Sequence, residues 1–71
     1  MNDQERARLQ EQYPAWHIRR PPTMTCLVAT RVGRPLTQRE IYHGLCATLV
    51  EDSYESLCEA LAHQREIEEM L

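Results

Sequence analysis

The chain has no lysine, two glycines, and three cysteines at no paired spacing among its 71 residues. Two glycines leave no room for a phosphate-cradling loop or a dinucleotide fingerprint, which need several at fixed offsets. An odd number of scattered cysteines argues against a disulfide framework. Apolar runs are short as well. None approaches the ~18 residues of a membrane span, and the opening Met1-Asn2-Asp3-Gln4-Glu5 is too polar for a secretory signal. A soluble, cytoplasmic protein with no membrane partner is expected. Without lysine, every basic side chain is arginine. Arginine offers planar, bidentate contacts, but a GC-rich coding sequence leaves the same mark, and nothing in the pattern demands a fork-shaped donor.

What is present is globular in composition: 42% hydrophobic and 27% charged residues. A single domain over residues 1–71 is the only division that the length allows. A chain of this size buries only about 60% of its unfolded surface, and such a core rarely supplies more than ~3–5 kcal/mol unaided. The net charge of −3 is unevenly spread. Residues 1–12 carry three acids and two arginines, and residues 13–39 carry five arginines and no acid. Residues 40–71 carry eight acids against Arg65 alone. Such asymmetry points to an ionic partner or to self-complementary packing.

Residues 1–12 hold a polar helix, with Asp3 as its expected N-cap and only Leu9 and Tyr13 sharing an i, i+4 face. That helix must dock elsewhere to persist, and Pro14 ends it. Residues 13–35 form a basic β-hairpin. Trp16-His17-Ile18-Arg19-Arg20 alternates at period two, and Thr25 to Val32 is rich in β-branched residues. Pro21-Pro22 cannot join a ladder and makes the connection a loop. Residues 36–71 form an acidic helical pair. Thr37-Gln38-Arg39-Glu40 is a capping box opening a helix expected to reach Val50, with Ile41, Tyr42, Leu45, Cys46 and Leu49 on one side. Gly44 interrupts that helix and suggests a close backbone approach. Asp52-Ser53-Tyr54-Glu55 opens the last helix, whose stripe of Leu57, Leu61, Gln64, Ile67 and Leu71 runs in heptad fashion. The expected class is α+β, in the order α-β-β-α-α, with the hairpin packed on the two C-terminal helices.

Four constellations test for chemistry. His43, Cys46, Cys58 and His63 are the residue types of a zinc centre, but helical spacing turns the two histidines away from the cysteines. The thiols lie on faces expected to be buried, away from any helix start that would favour a thiolate. Ser53 and Ser56 are capping residues. No cleft-forming length is available, so no catalytic set, metal centre or cofactor is expected. Trp16, Arg19, Arg20, Arg31 and Arg34, beside Tyr13 and His17, are the candidate interaction residues, a basic patch with aromatics. The last helix cannot enter a DNA groove, because its glutamates repel phosphate.

The string Tyr13-Pro14-Ala15-Trp16-His17-Ile18-Arg19, followed by Ala29-Thr30-Arg31 and then Leu36-Thr37 before a helix, resembles a group of short, uncharacterised actinobacterial proteins. The resemblance covers most of residues 9–62. It implies the same α-β-β-α-α layout and an actinobacterial source, and it carries no activity with it. This chain departs from the group at the hairpin centre, where Pro21-Pro22-Thr23-Met24-Thr25-Cys26 replaces a Trp- or Gly-rich segment.

The functional expectation is a non-catalytic protein-interaction or regulatory module, a homodimer with a larger protein as further partner. The dimer surface is expected along Leu57, Leu61, Gln64, Ile67 and Leu71. The alternative is a small nucleic-acid-binding regulator that uses the hairpin arginines.

Overall fold

The computed structural model describes residues 1–71. The first helix, α1 (Asp3–Gln12), is capped by Asn2 rather than Asp3, with the Asn2 side chain and Glu5 satisfying each other's backbone N–H at 2.7 and 3.0 Å. Starting one residue earlier lets Glu5 occupy the third helical position that a capping box requires. Leu9 and Tyr13, the only apolar pair on α1, are buried.

β1 (Trp16–Arg19) and β2 (Leu27–Arg31) form the expected antiparallel hairpin, with Trp16 opposite Arg31 and Ile18 opposite Ala29. β1 alternates buried and exposed residues, as its period-two pattern requires. The α+β class and the hairpin packed against helices are therefore present, but a third strand lies between the last two helices.

The helix expected to reach Val50 stops at Tyr42. α2 (Gln38–Tyr42) starts at the Thr37–Glu40 capping box and ends at His43. Gly44 is left-handed at φ 102°, its N–H donates to Ile41, and the Leu45 N–H reaches back to Glu40. This is a Schellman termination, which glycine favours because it has no Cβ. Thr48-Leu49-Val50-Glu51 then forms β3, antiparallel to β2 with Leu49 opposite Ala29. A helical pattern across Ile41–Leu49 loses to β2, whose second edge would otherwise be left without partners.

α3 (Tyr54–Met70) is capped by Ser53, which accepts from the Ser56 N–H at 3.1 Å. It packs with α1 on one face of the sheet, which runs β1-β2-β3. Leu9, Tyr13, Trp16, Ile18, Leu27, Ala29, Leu57 and Leu61 make the core between them, flanked by Met1, Leu49, Tyr54 and Cys58. Leu57, Leu61 and Gln64 are thus spent inside the chain. Of the five residues expected at a dimer interface, only Ile67 and Leu71 keep exposed surface.

Part of the outward edge of β1 is occupied. The Gln10 side chain accepts from the Ile18 N–H at 3.1 Å and donates to the Trp16 carbonyl, lying along that edge as a short strand would.

Candidate functional site

Arg31 and Arg34 are committed within the chain, whereas Arg19 and Arg20 are not. The register places Arg31 on the core side of the sheet beside Trp16, and its guanidinium lies 4.3 Å from the centre of the indole. Its Nε donates to the Cys46 carbonyl at 2.9 Å, one terminal nitrogen to Glu68 at 2.6 Å and the other to Gln64 at 3.0 Å. Gln64, only 3% exposed, also accepts from the Cys46 N–H at 2.8 Å and donates to the Gly44 carbonyl at 3.1 Å. One glutamine thereby ties the loop after α2 to α3 and, through Arg31, to β2. Sequence periodicity placed Gln64 in an apolar stripe. The signal it lacked was the glycine-ended loop whose bare backbone groups need a buried amide.

Arg34 makes a two-pronged pair with Glu40, at 2.8 and 3.0 Å, while Glu40 also accepts from the Thr37 N–H. The Arg34 hydrogen bond is the main reason that the Glu40 carboxyl is held down at about 2, with the Thr37 backbone contact adding to it. A carboxylate held below its ordinary 4.5 stabilises the fold above that value and loses the contribution as pH falls toward about 2. Thermal midpoints measured across that window should fall more for the native chain than for Arg34→Gln. Parallel curves would show that the pair contributes nothing to stability.

Between these two ion pairs lies a groove of about 280 Å³, lined by Ala15, Arg31, Val32, Arg34, Leu36, Glu40 and Glu68. Each of its arginines already faces a glutamate, so the groove offers no uncompensated charge to a substrate. The thiols are dispersed. Cys46 is exposed in the loop, contrary to the burial expected of it, because the segment is no longer helical; Cys26 and Cys58 are half-buried. No three His, Cys, Asp or Glu side chains are grouped to hold a metal ion. The Tyr54 hydroxyl is pushed above its ordinary value, chiefly by the neighbouring Cys58 thiol.

No helix packs on the other face of the sheet. Register and alternation put His17, Arg19, Val28, Thr30, Thr48 and Val50 on it. Val50 is 53% exposed and Val28 at the centre only 6%, and neither Arg19 nor Arg20 has a carboxylate at ion-pair distance. Of the expected interaction residues, only Arg19 belongs to this face. Arg20 stands exposed just beyond it, and Trp16, 3% exposed, lies beneath the sheet as a core residue. Thr48 and Val50 lie where helical spacing runs on from Ile41, and their alternation about Leu49 is the strand signal after Gly44. No protein-family model, curated protein or solved structure matches this chain.

Proposed function

We propose that this chain is a non-catalytic protein-interaction module that self-associates and docks a larger protein through the uncovered side of its sheet. The observation that carries the proposal is the one-sided sheet. Helices bury one face, while Thr30, Thr48 and Val50 make an uncharged strip on the other around the buried Val28, bordered by His17 and Arg19. Strips of this kind, apolar at the centre and charged at the rim, suit protein contact. No helix is long and apolar enough to cross a membrane, and all three cysteines are free thiols, which fits a reducing cytoplasm. The likeness of its strand motifs to the short actinobacterial proteins extends the same proposal to that group.

A photo-reactive side chain at Val50 should give a discrete protein adduct in the native host, and one at Glu66 on the acidic side of α3 should not. Equal labelling at both positions would remove the proposal. The second reading, nucleic-acid binding, is favoured by one observation: Arg19 and Arg20 are uncommitted and stand near His17. Polarisation titrations with labelled DNA and RNA separate the two. Flat titrations are expected. Saturable binding that weakens with salt and vanishes in Arg19→Gln/Arg20→Gln would install the nucleic-acid function instead.

A further inference from the structure

We infer that two copies of this chain join through the outer edge of β3, continuing the sheet across a twofold axis at Leu49. The inference gives the self-association just proposed a specific surface. The Arg31 N–H donates to the Ala47 carbonyl at 2.8 Å, and Ala29 and Leu27 pair with Leu49 and Glu51. In an antiparallel ladder the groups alternate. Ala47, Leu49 and Glu51 therefore turn their backbone toward β2, while Thr48 and Val50 turn theirs away from the sheet.

Two such edges are self-complementary. With Leu49 facing its own copy on the axis, Thr48 of each chain exchanges both backbone hydrogen bonds with Val50 of the partner subunit. The charged end of the strand, Glu51, then faces Ala47 of the partner subunit, so no like charges meet across the join.

A four-residue edge alone covers far less than the ~1,000 Å² of a specific interface. α3 supplies the rest. It packs over β3, and a twofold axis perpendicular to the sheet brings the two α3 helices alongside each other. Two contacts identify the flank that meets its copy. Arg65 lies over Tyr13 at 4.3 Å and donates to the Gln12 carbonyl, which marks the flank facing α1. Ile67 sits 3.4 Å from the position a Gly44 Cβ would take, which marks the flank facing the loop into β3.

At about 100° per residue, Ser56, Ala60, His63 and Ile67 share that second flank. It carries no carboxylate, although Glu55, Glu59, Glu66 and Glu69 crowd the solvent side of the same helix. A helix rises ~1.5 Å per residue against ~3.3 Å for a strand, so the level of Leu49 falls within Ser56–Ala60. Small residues thus stand at the closest approach.

Sedimentation equilibrium from micromolar to near-millimolar chain tests the arrangement, with circular dichroism reporting folding. The weight-average mass should rise from 8.4 kDa toward twice that value. Thr48→Pro deletes an outward N–H and spares the ladder to β2. Ala60→Glu sets two carboxylates against each other at the axis. Each should weaken association at least about tenfold, the equivalent of losing a pair of hydrogen bonds. Ser56→Glu replaces whichever variant fails to fold. A mass fixed at 8.4 kDa throughout overturns the inference. So does a dimer that every folded variant leaves intact. A monomer that still gives the Val50 adduct removes the dimer and leaves the interaction module standing.

Discussion

Gln64→Ala should remove a large part of the chain's stability. The substitution strands the Cys46 N–H, the Gly44 carbonyl and one arm of Arg31, all of which the Gln64 amide serves from a position 3% exposed. Gly44 and Cys46 stand at the surface, so each of these lost hydrogen bonds costs about 0.5–1.5 kcal/mol. Three together are a large share of the ~3–5 kcal/mol that a domain of this size commands. Glu68→Ala removes a neighbour on the same arginine but leaves no buried group unpaired, so it should cost no more than about 1 kcal/mol. Urea titrations followed by circular dichroism compare the two. Equal midpoints for Gln64→Ala and Glu68→Ala would show that loop 43–47 does not depend on its buried amide.

Trp16→Ala should be nearly as damaging, by a different route. The indole is the largest side chain of the core, and emptying its site costs about 3–5 kcal/mol for an aromatic-to-alanine change. Arg31 also loses the ring it covers, a contact of about 0.5–1 kcal/mol. Trp16→Phe keeps an aromatic face beneath the guanidinium and should recover more than half of the loss. If Trp16 served instead as an exposed docking anchor, Trp16→Ala would keep its unfolding midpoint and lose only partner binding. The unfolding curve alone decides between the two.

The local signals in the sequence were the dependable ones. The Thr37–Glu40 capping box, the alternation of Trp16–Arg19 and the lone apolar pair on α1 each depend on neighbours within four residues, and each takes its expected form. Gly44 was ambiguous for a physical reason. A glycine inside a helix and one closing it look alike in sequence, and the decision rests on whether a distant strand needs an edge partner. The stripe on α3 was legible as a face, but what covers it was not. Helical spacing says which side of Leu57 and Leu61 is apolar, and only the packed fold shows that Trp16, Ile18, Leu27 and Ala29 already fill that side. The arginines divided in the same way. Charge counting grouped all five, yet pairing depends on where Glu40 and Glu68 fall in space, which leaves Arg19, Arg20 and Arg39 over.

The amide of Gln10 along β1 has a consequence best put in the language of polymer chemistry. A sheet with two reactive edges is a bifunctional monomer, and bifunctional monomers grow into fibres of no fixed length. With one edge occupied by a side chain of its own, this sheet is monofunctional. An addition at the β3 edge would end growth instead of extending it, so the largest product open to such a sheet would be a pair. A single glutamine on the first helix therefore sets the valence of the whole molecule, from a position that touches no partner.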